Sequence, residues 1–190
     1  MRLGLYGGSF DPVHLGHLLV ARTAREELGL DRVFFIPAAK SPFKSGVPHA
    51  PAATRVQLLR LALAGDPGSE IDLQEVERSG ISYTVQTLRD YRRRFPDAEC
   101  FYLIGADHVA SLPEWNEADE LARLAEFVVI PRPGEKAVPL PPPFRGLTLR
   151  GFPLGVSSSQ IRARVKAGLS IRHLVPDAVG EAIQNNRLYF

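Results

Sequence analysis

Short apolar segments alternate along this chain with stretches whose apolar residues recur at a helical period. The pattern predicts strands at residues 2–6, 32–36, 70–76, 100–104, 127–130 and, more weakly, 147–149. It predicts helices at 17–28, 54–64, 85–95, 116–125, 159–167 and 177–185. Strands without a polar face belong to parallel sheets covered by helices on both sides. We therefore predict an α/β fold with a doubly wound parallel sheet and a small helical C-terminal end over about 157–190.

The length of 190 residues corresponds to about one domain, which we predict to span residues 1–190. Residues 131–146 contain six prolines, so they are incompatible with a helix or a central strand. This proline-rich loop is either a plain surface linker or a functional loop, since long loops inside compact domains often carry function.

Composition excludes several classes of protein. The single cysteine excludes a disulfide framework and a cysteine-rich zinc site. No apolar run is long enough to cross a bilayer, and the opening MRLGLYGGSF lacks the apolar stretch of a signal peptide, so we expect a cytoplasmic location and no membrane partner. A net charge of +2 gives no reason to expect a nucleic-acid partner. The chain has no heptad repeat, and its sequence predicts no oligomeric state.

The segment that carries the strongest chemical signal is GGSFDPVHLGHL, at residues 7–18. Gly7 and Gly8 follow the first predicted strand and allow the backbone to approach a ligand closely. His14 and His17 are three residues apart at the start of a helix, where free N–H groups already attract anions. We interpret the segment as a triphosphate site, although it is neither a P-loop nor a dinucleotide fingerprint. The alternatives are two ordinary polar histidines, or a zinc site that would lack a third ligand at a suitable spacing.

This segment resembles the HxGH signature of the nucleotidylyltransferase superfamily. The rest of the chain, in order and over nearly its whole length, resembles the nicotinate-nucleotide adenylyltransferases. The segments that carry this resemblance are FIPAAKSPFK (35–44), ISYTVQTLRDYRRRFPDAECFYLIGAD (81–107), LPEWNEADEL, VVIPRPG and VSSSQIR. The chain has SPFK where the family more often has PPHK, and Ser159-Gln160 where it often has Thr-Glu. Neither departure removes a group on which the expected chemistry depends.

The resemblance implies a Rossmann-like nucleotidylyltransferase fold and the transfer of AMP from ATP to nicotinate mononucleotide, which yields deamido-NAD and pyrophosphate. The attacking phosphate oxygen is already an anion, so catalysis reduces to alignment and charge neutralisation. Mg²⁺ is expected to arrive with ATP, without protein ligands of its own. The alternatives are the same chemistry on nicotinamide mononucleotide or phosphopantetheine, and a nucleotide-binding module without turnover.

The resemblance also implies residue roles at an ATP site. His17 would donate to the α-phosphate, His14 would hold the phosphates, and Lys44 would supply a mobile charge, with Lys40 as a weaker substitute. These three catalytic residues, His14, His17 and Lys44, fall within or beside an ATP site made of Gly7, Gly8, Ser9, Phe10, His14, His17, Asp107, Ser157, Ser158, Ser159 and Arg162. Simple helix capping by the serines or by Asp107, and a solvated Lys44, are the structural alternatives.

The implied site for nicotinate mononucleotide comprises Lys44, Ser82, Tyr83, Thr84, Trp115, Asn116 and Arg132. Main-chain N–H groups of the turn at 81–84 would bind the carboxylate, with a further donor from Asn116. Trp115 would stack on the pyridine ring, and Arg132 would reach the phosphate. The alternatives are a hydrophobic anchor for Trp115 and an ordinary loop position for Arg132.

Overall fold

The computed structural model describes residues 1–40, 50–134, 138–151 and 154–190. The strands are β1 (Arg2–Gly8), β2 (Arg32–Pro37), β3 (Ser69–Ile71), β4 (Glu99–Gly105), β5 (Glu126–Ile130) and β6 (Gly146–Thr148). The α-helices are α1 (Leu15–Leu28), α2 (Ala52–Ala62), α3 (Gln74–Arg78), α4 (Thr84–Arg94), α5 (Ala118–Leu124), α6 (Ser158–Lys166) and α7 (Asp177–Asn185). A 3-10 helix occupies Ala106–Glu114.

The strands form one sheet in the order β3-β2-β1-β4-β5-β6, and every neighbouring pair is parallel. β1 lies near the middle and pairs with β2 on one side and β4 on the other. The strand order reverses between β1 and β4, which in a sheet of this type is the point where ligands bind. The predicted α/β fold with a doubly wound parallel sheet and a helical C-terminal end is confirmed.

Alternate side chains of each inner strand enter two separate cores. Tyr6, Phe35 and Leu103 pack under the side of the sheet covered by α1, α2, α6 and α7. Leu5, Ile36, Tyr102, Ile104 and Phe127 pack on the opposite side, under α4, α5 and the 3-10 helix. Both faces of the sheet are therefore buried from solvent, which accounts for the near-continuous apolar strands of the sequence.

The predicted strand at 70–76 is wrong in its second half. β3 ends at Ile71, and α3 begins at Gln74. The carboxylate of Asp72 accepts a hydrogen bond from the Gln74 N–H at 3.0 Å, and Glu75 and Glu77 lie in the first turn of α3, where carboxylates stabilise a helix. The other predicted elements begin and end within two residues of the observed ones.

The 3-10 helix between β4 and α5 has no counterpart in the sequence prediction. Its residues bond mainly over three positions, and such short turns leave no regular apolar period. Pro113 lies within it, and Trp115 follows it directly. None of the helices in the described part of the chain is both long and apolar enough to span a membrane.

Candidate active site

A cleft of about 660 Å³ opens at the carboxyl ends of β1, β4 and β5, across the point where the strand order reverses. Residues that the sequence analysis assigns to the binding of two different substrates line this one cleft. They are Gly7, Gly8, Ser9, Phe10, His14, His17, Ser82, Thr84, Asp107, Trp115, Arg132, Ser157, Ser158, Ser159 and Arg162. The fold thus brings together segments that are up to 155 residues apart in the chain, from Gly7 to Arg162.

The two histidines lie at the amino end of α1, His14 just before the helix and His17 in its first turn. His14 precedes the helix in an extended conformation, and its main-chain N–H donates to Nδ1 of His17 at 3.1 Å. The two rings stack with their centroids 3.6 Å apart. A neutral imidazole whose Nδ1 accepts a hydrogen bond carries its proton on Nε2, so His17 presents a donor at its other nitrogen.

The environment of His14 differs from that of His17. His14 is buried, and burial lowers its pKa from 6.5 to about 4. Its Nδ1 is buried and has no hydrogen-bond partner among the described residues. The imidazole is therefore neutral at pH 7, and the extra positive charge that protonation of this histidine would bring to the site is absent at that pH.

The backbone at Gly7 and Gly8 lies against side chains of the protein itself. A Cβ on Gly7 would lie 2.5 Å from the hydroxyl of Tyr102, and one on Gly8 would lie 3.1 Å from the ring of Phe10. The Tyr102 hydroxyl shares a hydrogen bond of 3.3 Å with Oγ1 of Thr84. The absence of a Cβ at Gly7 thus leaves room for the tyrosine on β4, and close approach of a ligand at this position stays a prediction.

The amino end of α6 forms another part of the cleft lining. Ser157 caps the helix, since its Oγ accepts from the Gln160 N–H at 3.2 Å, and the Ser158 hydroxyl donates to the Pro12 carbonyl at 2.9 Å. Arg162 donates to the Asp11 carbonyl at 2.7 Å and to the Ser159 hydroxyl at 3.2 Å. The capping alternative is therefore realised at Ser157, and α6 is tied directly to the loop after β1.

Asp107 and Arg132, which the resemblance assigns to different substrates, form an ion pair. Nη2 of Arg132 donates to Oδ2 of Asp107 at 2.9 Å, and both side chains are about half exposed. Partial burial raises the pKa of Asp107, but the hydrogen bond from Arg132 and the nearby His108 outweigh it and hold the pKa below its usual value. The carboxylate is therefore ionised at neutral pH and shared with a cation.

Ser82 and Thr84 lie at the end of the cleft near α4, and their hydrogen bonds differ. The Ser82 N–H donates to the Lys40 carbonyl at 3.0 Å, and its hydroxyl accepts from the Ala39 N–H and bonds to the carboxylate of Glu75. Both donors of Ser82 are thus engaged within the protein. Thr84 is the first residue of α4, where main-chain N–H groups point out of the helix.

Trp115 lies beside this end of the cleft and is half-buried. Its indole N–H donates to the Ser111 hydroxyl at 3.3 Å, and its ring meets Tyr102 edge-to-face at 6.4 Å. The ring packs against the core beside α4, as expected of a hydrophobic anchor, and it also lines the cleft. Its stacking on a pyridine ring stays a prediction.

Two sequence-predicted residues are not among those that line the cleft, and a third lies outside the described residues. Tyr83 packs against the core beside α4. Asn116 is exposed, and neither residue is among those that line the cleft within the described part of the chain. Lys44 lies outside the described residues, and Lys40 is exposed beside Ile81. The roles assigned to Tyr83, Asn116 and Lys44 stay predictions.

Glu75 is a cleft residue that sequence reasoning missed. Its side chain is buried, accepts from the Thr87 hydroxyl at 2.6 Å and has a raised pKa, chiefly because of burial. The misplaced strand at 70–76 hid it. The segment QEVER (74–78), which follows Asp72 and consists mostly of good helix formers, was the signal that could have predicted a helix here.

Arg55 was also missed, and it holds the loop after β1 from behind. The guanidinium is buried and donates to the carbonyls of Ser9 at 2.7 Å, Ala38 at 2.8 Å and Ala50 at 3.1 Å. No pattern in the sequence distinguishes this arginine from the exposed arginines of other helices, because its burial depends on loops that converge only in the folded chain.

Comparison with known proteins places these features in a family. Residues 5–164 match the model of the cytidylyltransferase-like family. The chain is 46% identical over 189 residues to a protein of Thermus thermophilus named as a probable nicotinate-nucleotide adenylyltransferase, and the match covers all of both chains. A protein of Exiguobacterium sibiricum with the same name is 42% identical over 190 residues, which cover 100% of this chain and 99% of that one.

The fold is also similar to that of solved structures. A nicotinic acid mononucleotide adenylyltransferase from Plasmodium falciparum, complexed with NaAD, superposes with a TM-score of 0.81 at 17% identity and covers 99% of this chain and 97% of its own. A structure of the same enzyme complexed with APC gives a TM-score of 0.79. At this identity the likeness concerns the fold alone.

Proposed function

Because the chain belongs to the cytidylyltransferase-like family, and within it to the nicotinate-nucleotide adenylyltransferases, we propose that it transfers AMP from ATP to nicotinate mononucleotide. The products are deamido-NAD and pyrophosphate, in NAD biosynthesis. The observation that carries the proposal is the stacked pair of His14 and His17 at the start of α1, which faces the amino end of α6 across one cleft. A cytoplasmic location is part of the proposal, since the reaction consumes ATP.

In the proposed reaction, a phosphate oxygen of the mononucleotide attacks the α-phosphorus of ATP, and the bond to the bridging oxygen of pyrophosphate breaks. No covalent nucleophile is required, so the protein acts by alignment and charge stabilisation. We assign to Nε2 of His17 a hydrogen bond to the α-phosphate that strengthens as charge develops. Neutral His14 supports His17 through ring stacking and through the main-chain donor to Nδ1.

The phosphates of ATP would lie between the loop after β1 and α6. Main-chain N–H groups at the start of α6 and the guanidinium of Arg162 offer donors to anionic oxygens. Gly7, Gly8, Ser9 and Phe10 form the facing wall. Lys44 keeps its proposed role as a mobile charge on phosphate.

Asp107 would accept from ribose hydroxyls, as acidic residues at comparable strand ends do. Its ion pair with Arg132 holds the carboxylate in its charged form. The same arginine is proposed to reach the phosphate of the mononucleotide, so it would stand between the two substrates.

Mg²⁺ enters the proposal as part of the ATP substrate. The described residues contain no group of three His, Cys, Asp or Glu side chains placed to hold a metal, and Asp107 is already paired with Arg132. Mg²⁺ commonly keeps several waters and uses phosphate oxygens as ligands, so the donor set required is that of the triphosphate itself.

The acceptor end of the proposed site is the cleft beside Thr84 and Trp115. A carboxylate suits main-chain donors at the start of α4, whereas an amide would direct its own N–H₂ at some of them. The Thr84 hydroxyl is bonded to Tyr102, so recognition is proposed to rest on the main chain of Thr84. Trp115 would stack on the pyridine ring.

The proposal is tested by incubating the purified protein with ATP and Mg²⁺ in the presence of nicotinate mononucleotide, nicotinamide mononucleotide or phosphopantetheine. Pyrophosphate release is followed, and the adenylylated product is identified by mass spectrometry. We expect rapid release with nicotinate mononucleotide only. ATP binding without release with any acceptor would instead support a nucleotide-binding module.

A further inference from the structure

A hydroxyl far along the chain reaches the loop that follows β1. Tyr189, beyond α7, donates to Oδ1 of Asp11 at 2.7 Å. Asp11 is 1% exposed, so its carboxylate depends on donors from the protein. Burial and the neighbouring carboxylate both raise the pKa of Tyr189, and the hydroxyl therefore keeps its proton as the donor.

Asp11 is in turn the residue that holds Arg162. Nη1 of Arg162 donates to the Asp11 carbonyl at 2.7 Å, while the distance from the same nitrogen to Oδ2 of the carboxylate is 4.0 Å. The guanidinium is thus bound by the main chain and stops short of a close ion pair. Its second nitrogen bonds Ser159, which keeps the group at the cleft wall.

We propose that Tyr189 is a positioning residue for Arg162, because its hydroxyl, with the Ala50 N–H at 3.3 Å, donates to Oδ1 of the buried Asp11 carboxylate and so lets Arg162 stay at the cleft wall. This inference rests on the proposed function, in which Arg162 binds the phosphates of ATP. Without the hydroxyl, the buried carboxylate has lost a donor and draws the guanidinium into a closer ion pair. The arginine then binds phosphate less well, while His17 is not displaced.

The variant Tyr189→Phe removes the hydroxyl and keeps the ring, which packs against the core. We expect its KM for ATP to rise about fivefold or more, as for modest coupling between sites, with kcat and the KM for nicotinate mononucleotide within about twofold of wild type. The rise in Tm on addition of ATP measures ATP binding independently of turnover. Because it is a difference from the Tm of the same variant without ATP, it does not depend on how stable that variant is.

The chain supplies a matched control. Tyr91 donates to the buried carboxylate of Asp72 at 2.6 Å, and Asp72 is likewise held by an arginine, Arg94, at 2.6 Å. None of these three residues is among those that line the cleft within the described part of the chain. Tyr91→Phe should lower Tm and leave the KM for ATP at its wild-type value, which separates a general loss of stability from the proposed effect.

A double-mutant cycle decides whether the effect passes through Arg162. In an Arg162→Ala background, adding Tyr189→Phe should change the KM for ATP by less than about twofold. An undiminished effect in that background overturns the inference, and so does a normal KM in Tyr189→Phe when Arg162→Ala is impaired. Those results leave the proposed function intact, whereas a wild-type protein that releases no pyrophosphate with any acceptor overturns the function first.

Discussion

The main-chain N–H of His14 donates to Nδ1 of His17 at 3.1 Å, so the first histidine of the motif sets the proton position on the second. Their spacing therefore serves the structure of the helix start, in addition to the proposed contact with phosphate. His14 lies just before α1, and only a side chain three residues later can reach back to its N–H at that helix end. The donor that this tautomer places at Nε2 of His17 is the group on which the proposed reaction depends.

Removing that donor should slow the reaction itself. In His17→Asn, the amide oxygen can still accept from the His14 N–H, but the donor at Nε2 is gone. We expect kcat to fall by roughly 10²–10³, with a smaller change in ATP affinity, because the interaction strengthens mainly in the transition state. Single-turnover rates and calorimetry measure the two effects. The control is His173→Asn, at an exposed position that does not line the cleft, and this variant should retain full activity. A His17→Asn variant with near-normal kcat would contradict the role assigned to His17.

Burial of His14 should make the protein less stable in acid. Its folded-state pKa of about 4 lies below the ordinary 6.5, so its contribution to stability is complete above pH 6.5 and is lost as the pH falls towards 4. The loss from this group should be roughly 2–4 kcal/mol. Urea unfolding of wild type and His14→Asn at pH 7 and pH 4.5 tests this: the variant should lose less stability between the two pH values, and equal losses would show that His14 is not the titrating group.

Arg162→Ala should weaken ATP binding by roughly 1.5–3 kcal/mol, the range for hydrogen bonds to charged groups. Arg162→Lys should recover only part of this, since a single ammonium cannot bond Asp11, Ser159 and a phosphate in the same plane. Calorimetric titration with ATP measures both variants. Arg164→Ala, two residues along α6 and outside the cleft lining, should bind ATP as wild type does. Normal binding by Arg162→Ala would mean that the arginine only joins α6 to the loop.

Acceptor choice should favour nicotinate mononucleotide over nicotinamide mononucleotide by ~10²–10⁴ in kcat/KM, from two mismatched contacts with the amide. Thr84→Ala should keep much of this preference, because its main-chain N–H remains and its hydroxyl is already bonded to Tyr102. Trp115→Ala should raise the KM of both acceptors together. Equal kcat/KM values for the two acceptors in wild type would overturn the assignment of the substrate and leave only the general chemistry.

Gly7→Ala should destabilise the fold, since the new methyl group would lie 2.5 Å from the Tyr102 hydroxyl. A cost of roughly 1–3 kcal/mol is expected from such overpacking. Adding Tyr102→Phe should recover part of it, which a double-mutant cycle by chemical denaturation measures. Gly155→Ala, whose methyl would come no closer than 3.8 Å to Pro133, is the matched cleft control and should cost little. Simple additivity of Gly7→Ala and Tyr102→Phe would contradict the proposed clash.

Local patterns predicted the parts of this molecule that depend on local physics. The strands of the sheet follow from apolar runs, and the capping of α6 by Ser157 follows from SSSQ before an apolar position. The placement of Glu75 required the knowledge that a helix begins at Gln74, where the N–H bonds the Asp72 carboxylate, although the apolar pattern of residues 70–76 favours a strand. Long-range partners such as Arg132 with Asp107 depend on which loops converge, and no spacing in the sequence encodes that convergence.

The start of α1 is also bound from far along the chain, because the Leu15 N–H donates to the Leu174 carbonyl at 3.0 Å and α7 packs over the same core. At roughly 5–20 residues per second, a ribosome adds residue 174 about ten to thirty seconds after residue 15. During that interval the apolar side chains of Tyr6, Phe10 and Val13 have no final cover. The histidine motif leaves the exit tunnel before the segment around Leu174, and its observed geometry is complete only after that segment has been translated. Nascent chains of this protein therefore carry exposed apolar surface for seconds, and chaperones that bind such surface are its expected companions during synthesis.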